Sequence, residues 1–207
     1  MGLVRGWPPA NHSANDSLYL NVYSPANATR NSAFPVRVWL YGGSNTDGGI
    51  ANPFYDGCNV AAHNAIMVSI NYRLGPLGYL MLRDSGFMGN QALKDQILAL
   101  QWVQENIAAF GGDPVWRTPL YMPSSKLTRI QKKVMLHGQS AGARDAFTLA
   151  TLSEASELFS SAIFESGAGR ETTTCSNAQR IGQSFAAALN CSADDVSLSI
   201  RTGPSRQ

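Results

Sequence analysis

The run "AIMVSINY", residues 65–72, is apolar at nearly every position. Successive side chains of a strand point to opposite faces, so a strand without a polar face has to be covered on both sides. That requirement admits few architectures, chief among them a mainly parallel sheet between layers of helices. The rest of the chain supplies the parts. "LYLNVY" (18–23), "VRVWLY" (36–41), "KVMLHG" (133–138) and "SAIFESG" (161–167) read as further strands. "NQALKDQILALQWVQENIAAF" (90–110), "SAGARDAFTLATL" (140–152) and "SNAQRIGQSFAAALN" (176–190) read as helices. In the first of these, Leu93, Ile97, Leu100, Gln104 and Ile107 follow the i, i+4, i+7 rhythm of one buried face, and "GGDP" stops it. Strands alternating with helices predict an α/β class chain with a mostly parallel central sheet and helices on both faces.

Composition limits the function classes. The 207 residues are 44% hydrophobic and 14% charged, which suits one globular domain with a sizeable core. A net charge of +2 gives no case for nucleic acid, and no run of 18 apolar residues predicts a transmembrane segment. The opening "MGLVRGWPPANHSAND" lacks the apolar core of a secretory leader, so the chain as written is expected in the cytoplasm. Asn-x-Ser/Thr sequons at Asn11, Asn15, Asn27 and Asn190 hint at a secretory route instead. Cys175 and Cys191 flank a helix that would separate them by roughly 20 Å, too far for a disulfide between them.

The chemistry centres on "GQSAG", Gly138 to Gly142, a G-x-S-x-G motif between an apolar strand and a helix. There Ser140 has to sit in a tight, strained turn with its Oγ above the sheet edge, and side chains two residues either way would collide. The helix beginning at Ala141 points free N–H groups at the same spot. "YGGS", Tyr41 to Ser44, follows another strand and offers flexible backbone whose N–H groups can face inward, as the oxyanion of an acyl-transfer intermediate requires.

Longer motifs carry a family resemblance. "NDSLYLNVY", "PVRVWLYGGSNTDGG", "VSINYRLGPLGYL", "GNQALKDQILALQWVQENIAAFGGDP" and "VMLHGQSAGA" resemble, in order, signatures of the type-B carboxylesterase/lipase family, which includes the cholinesterases. The resemblance implies an N- and C-terminally truncated member, its residues 1–207 an incomplete domain of partial α/β-hydrolase fold. It implies cleavage of small-molecule or lipid carboxylic esters by a Ser–His–acid triad, without metal or cofactor, in a family whose full-length members are secreted. Ser140 resembles the nucleophile, and the N–H groups of Gly43, Ser44 and Ala141 the oxyanion hole. Arg73 and Asp95 fall where the family has a buried structural ion pair. Ser17 stands in place of a family disulfide cysteine, which leaves Cys58 without an obvious partner. Gln139 replaces the cholinesterase Glu, against a quaternary ammonium substrate. Trp7 has the spacing of a choline-binding Trp but unrelated flanks.

Two features depart further. The chain order of this fold is Ser, acid, His, yet no histidine follows Ser140; His12 and His63 come too early, and His137 lies inside the nucleophile strand. A serine without a base is a poor nucleophile, so the chain alone is expected to have little esterase activity. A non-catalytic interaction protein of the same fold, or a gene fragment, are the alternatives. The second departure is the segment 115–131. Without it the text reads "FGGDPKKVMLHGQSAGA", an ordinary family sequence. Its ends are compatible with GTN and CAG codons, and Leu127–Thr128 with CTAAC, as a translated short intron would be; a genuine surface loop or lid is the other reading. An insertion directly before the elbow strand is also expected to threaten that strand's register.

Overall fold

The computed structural model describes residues 17–114, 116–118, 129–131, 133–169 and 173–191. Its strands are β1 (Leu20–Tyr23), β2 (Val36–Leu40), β3 (Ile66–Ile70), β4 (Met81–Leu82), β5 (Phe87–Met88), β6 (Trp116–Thr118), β7 (Arg129–Gln131), β8 (Val134–Gln139) and β9 (Ser161–Glu165). Its α-helices are α1 (Cys58–Ala62), α2 (Gly75–Tyr79), α3 (Gln91–Asn106), α4 (Ala141–Thr151), α5 (Ser153–Ser156) and α6 (Cys175–Ala188).

Among the described residues one sheet runs in the order β1-β3-β2-β8-β9. β3, β2, β8 and β9 are parallel neighbours, and β1 closes one edge antiparallel. Every residue of β3 is buried, as its unbroken apolar run demands. Val36, Val38 and Leu40 of β2 join Ile66, Val68 and Ile70 of β3 and Val134 and Leu136 of β8 in one core. Leu100 and Val103 of α3, Ile107 just beyond it, and Ala146 and Leu149 of α4 complete that core. Each Val, Leu or Ile side chain among them removed from water stabilises the fold by about 1.5–3 kcal/mol. The face of the sheet opposite this core carries Arg37, Trp39 and His137, with Tyr55 lying 5.5 Å from the Trp39 ring, and α1 packs on that face against β3, where Gly57 meets Met67.

The predicted face of α3 is buried at Ile97, Leu100 and Val103, with Ile107 just beyond, but it is displaced toward Ala92, Asp95 and Gln96. The fully covered positions are Ala92, Gln96, Leu100 and Val103, with Asp95 and Ile97 also buried, whereas Leu93 and Gln104 are only half-buried. The displacement follows from two polar residues that find partners inside. The Asp95 carboxylate accepts from Arg73 Nε at 2.8 Å, Arg73 Nη2 at 2.6 Å and the Arg73 backbone N–H at 3.1 Å. Those hydrogen bonds hold the Arg73 guanidinium above its ordinary pKa. The pair ties the segment after β3 to α3, the scaffold role expected of it.

The ends of segment 115–131 close on each other. β6 and β7 pair antiparallel, with Trp116 opposite Gln131 and Thr118 opposite Arg129. β8 nevertheless pairs with β2 without interruption from Val36–Val134 to Leu40–Gly138. The expected disturbance of register is therefore absent: the chain leaves and returns at one place, and the strand resumes where its apolar pattern requires. Cys175 opens α6 and Cys191 follows its end, and they form no disulfide with each other.

Asp95→Ala should lower stability in urea unfolding by about 2 kcal/mol. That lies between the values for buried and for exposed pairs, because the Arg73 side chain keeps 35% of its exposure. Unchanged stability would mean that the pair holds nothing in place.

Candidate active site

β8 ends at Gln139 and α4 begins at Ala141, so Ser140 makes the whole turn by itself. Its backbone sits at φ 53°, ψ −115°, a sparsely populated conformation for a side-chain-bearing residue that costs on the order of 1–3 kcal/mol and persists only where the surroundings impose it. They do so through backbone. The Ser140 N–H donates to the Glu165 carbonyl at 2.7 Å, and the Ser140 carbonyl accepts from the Arg144 N–H at 3.1 Å. A Cβ on Gly138 would lie 2.2 Å from the Gly142 carbonyl oxygen, one on Gly142 2.3 Å from that of Leu40, and one on Gly167 2.3 Å from that of Ser140. No side chain fits at any of the three. Ser140 itself stays half-buried, above the C-terminal ends of the parallel strands and at the N-terminus of α4.

The loop after β2 presses on this turn. A Cβ on Gly42 would come within 3.0 Å of the Ser140 Cβ and 2.6 Å of Gln139 Oε1. Gly43, Ser44 and Asn45 follow with φ of 128°, 56° and 60°, so three successive residues turn their backbone in the left-handed sense. The Gly43 carbonyl accepts from the Thr46 and Asp47 N–H groups at 3.0 Å, and the Asn45 carbonyl from that of Gly75 at 2.6 Å. The structure thus brings Ser140, Ala141 and the loop bearing Gly43 and Ser44 together.

His137 is not free to serve Ser140. It is buried in β8, edge-on to Trp39 at 4.6 Å. Its Nδ1 accepts from Arg37 Nε at 2.8 Å and also meets Arg37 Nη2, while Nε2 faces Glu165 Oε1 at 2.9 Å. A guanidinium only donates, so Nδ1 is unprotonated and Nε2 carries the hydrogen. Burial pushes the His137 pKa below its usual value and the Arg37 charge pushes it the same way, against the Glu165 hydrogen bond. His63 is exposed, with Nδ1 against the Asn59 carbonyl at 2.7 Å. His12, Trp7, Asn11 and Asn15 lie outside the described residues.

Several polar residues at the site escape sequence reasoning. Asp145, in α4, is buried and accepts from Asn45 Nδ2 at 3.0 Å, Tyr79 Oη at 2.9 Å and Gln96 Nε2 at 2.8 Å. Tyr41 and Tyr72 stack at 4.5 Å, each hydroxyl donating to the other's carbonyl. Burial pushes the Tyr41 hydroxyl up to about 12. A lone Asp amid the alanines of α4 was the one available signal. No group of three or more His, Cys, Asp or Glu that would hold a metal occurs among the described residues, and no described helix is long and apolar enough to cross a membrane.

The model of the carboxylesterase family matches residues 5–202. The chain belongs to that family. Similar proteins include a liver carboxylesterase of Sus scrofa, 42% identical over 74% of this chain and 24% of its own length. The para-nitrobenzyl esterase of Bacillus subtilis is 40% identical over 77% of this chain and 29% of its own. Among solved structures, a Geobacillus stearothermophilus carboxylesterase matches with a TM-score of 0.79 and 33% identity, over 95% of this chain and 38% of its own. A thermophilic pNB esterase gives 0.77 and 34%, over 92% and 36%. The sheet is accordingly part of an α/β-hydrolase fold, and the chain spans between a quarter and two fifths of the length of these carboxylesterase-family relatives.

Gly142→Ala should cost about 3 kcal/mol in thermal or urea unfolding, since its methyl meets rigid carbonyl oxygens; a neutral outcome would mean that the elbow is looser than described. A pH effect follows from His137. Because its folded pKa is depressed, its contribution is fully present above about pH 6.5 and is lost as pH falls below that toward the folded value. The urea midpoint should drop between about pH 6.5 and 5. His137→Gln, which keeps one acceptor for Arg37 and one donor for Glu165, should flatten that slope; parallel slopes would exclude the histidine as its source.

Proposed function

We propose that the chain is the nucleophile-bearing part of a carboxylic ester hydrolase that works through an acyl-enzyme on Ser140. The observation that carries this is the conformation of Ser140, held at positive φ against a loop of three left-handed residues. Ser140 Oγ attacks the ester carbonyl carbon, and the N–H groups of Gly43, Ser44 and Ala141 receive the oxyanion. Collapse expels the alcohol with a proton, and water then releases the acid. That sequence needs a base to take the Oγ proton. No histidine follows Ser140, and His137 is committed to Arg37 and Glu165. On this reading the base and its acid come from a segment beyond these residues, and the substrate is a small-molecule or lipid carboxylic ester. The name para-nitrobenzyl esterase, borne by one relative, makes aryl and benzyl esters the first to try. Two sequon residues, Asn27 and Asn190, are exposed, which supports a secretory route.

The same reading treats 115–131 as an addition to a family turn, translated from an intron or tolerated as a loop. Pairing of Trp116 with Gln131 brings those two residues to about 5 Å apart, so a chain without the segment has a short gap to close. A chain lacking 115–131 should melt at or above the temperature of the full chain; a large drop would show the segment to be structural. Genomic codons at Val115, Leu127–Thr128 and Gln131 other than GTN, CTAAC and CAG would exclude the intron origin.

The chemistry is tested with a fluorophosphonate probe and p-nitrophenyl esters. The 207-residue chain should label no better than its Ser140→Ala variant. A form extended in frame to include a histidine and an acid should label at Ser140 and turn over at about 1 s⁻¹ or faster. Ordinary turnover by the short chain would refute the missing base, and an unlabelled extended chain would refute the nucleophile.

A further inference from the structure

The geometry points to Asp145 as a positioning residue that fixes the oxyanion-binding loop to the nucleophile helix through Asn45. The inference rests on the ester-hydrolase reading for its purpose, while the physical link stands on its own contacts.

Asp145 lies five residues beyond Ser140 on α4 and is 5% exposed. Its Oδ1 accepts from Asn45 Nδ2 at 3.0 Å, and its Oδ2 accepts from Tyr79 Oη and Gln96 Nε2 at 2.9 and 2.8 Å. All three donors are neutral. A buried carboxylate without a cation is costly, and an apolar side chain of similar size would serve packing alone at least as well. What the carboxylate alone provides is an acceptor set with room for three donors at once. Those donors arrive from the loop after β2, from α2 and from α3, and converge on the helix that Ser140 opens.

Asn45 is the member that matters for chemistry. It closes the run of left-handed residues Gly43, Ser44 and Asn45, of which Ser44 resists that conformation and Asn45 tolerates it. Strain of this kind survives only if several contacts fix it. The loop's own hydrogen bonds, Thr46 and Asp47 N–H to the Gly43 carbonyl, close the turn on itself but do not fix it to the body of the fold. Among the described residues three hydrogen bonds do: the Ile50 N–H to Asn71 Oδ1 at the loop's far end, the Gly75 N–H to the Asn45 carbonyl, and the Asn45 side chain to Asp145. Of these the last reaches α4, which also carries the Ala141 N–H. Asn45 Oδ1 is buried without a partner, so the carboxylate dictates which way the amide faces. Beside the backbone packing of Gly42 and Gly142, this side-chain hydrogen bond thereby holds the two halves of the proposed oxyanion hole in register.

The test exchanges the partners. Asn45→Asp sets two carboxylates against each other, and the double variant Asn45→Asp/Asp145→Asn restores a donor and an acceptor with their positions reversed. In the double variant the amide carbonyl introduced at position 145 still accepts from Tyr79 and Gln96. Amide hydrogen exchange is read on the 207-residue chain at Thr46, Asp47 and Gly75, whose N–H groups report the loop, and in β8 and α3 as controls. Asn45→Asp should speed exchange at the three reporters about ten-fold, with the controls unmoved, and the double variant should return it to within about two-fold of the wild type. Unchanged exchange in Asn45→Asp overturns the inference, as does a double variant as loose as the single one. If Asn45→Asp loosens the controls as well, Asn45→Ala decides: faster exchange confined to the reporters supports the link, and wild-type protection overturns it. Ser140→Ala should leave all these rates alone, so failure of this inference and failure of the hydrolase reading show up in different measurements. In an extended, active form Asn45→Asp should lower kcat about ten-fold with KM little changed.

Discussion

The whole arrangement depends on backbone meeting backbone where β8 turns into α4. Three glycines, at 138, 142 and 167, stand where any Cβ would lie 2.2–2.3 Å from a carbonyl oxygen. Because those contacts are with main chain, no rotamer change relieves them. The close approach lets α4 start directly off the strand, and a direct start leaves Ser140 alone to make the corner. Its positive φ is thus imposed by the packing of β2, β8, α4 and the segment after β9, all of which reach in to the same few ångströms. Stability and the bared hydroxyl come from one geometric condition.

Sheet and elbow were legible in the sequence because they are written in patterns that admit one solution. The apolar run at 65–72 reads as a strand covered on both sides, and β3 is buried throughout. Gly138, Ser140 and Gly142 announce a turn too tight for side chains. The face of α3 was read only in part, for a physical reason: periodicity counts apolar residues and found Ile97, Leu100 and Ile107, the family resemblance placed Asp95 against Arg73, and Gln96 is buried because Asp145 meets it. No local pattern encodes a partner about twenty or fifty positions away. Asp145 and Asn45 escaped on the same ground, lying 100 residues apart in the chain. Segment 115–131 was visible as an interruption of the pattern, yet its harmlessness to β8 was not, since antiparallel pairing of its ends depends on residues that carry no strong signal.

Polar groups on the two sides of the sheet follow one rule with different outcomes. Arg37, His137 and Glu165 come from adjacent strands β2, β8 and β9, and their hydrogen bonds run across the strand direction. The imidazole there is a spacer between a donor and an acceptor, a role that needs it neutral, and this is why burial and the Arg37 charge act together on its pKa. On the other side, Asp145 gathers donors from three segments around one helix. The first network locks strands that are already paired; the second locks a loop that has no sheet to hold it. Removing a hydrogen bond matters more where fewer others do the same work.

That difference also bears on why the proposed nucleophile half of the site is set up so fully within a chain that spans between a quarter and two fifths of its relatives' length. Everything that positions Ser140 and the loop at 42–45 is drawn from residues 37–167: the glycine contacts, the Glu165 carbonyl, the Arg73–Asp95 pair and the Asp145 hub. None of these partners lies outside the chain. Strain at Ser140 and along Gly43–Asn45 is held by contacts formed when these strands and helices come together, before any base approaches. An oxyanion site works by being rigid in advance, since donors already aimed at the developing charge need no reorganisation when it forms. A base, by contrast, has only to bring one nitrogen within hydrogen-bond reach of Oγ, so it can be supplied from a distant segment without altering the geometry it serves.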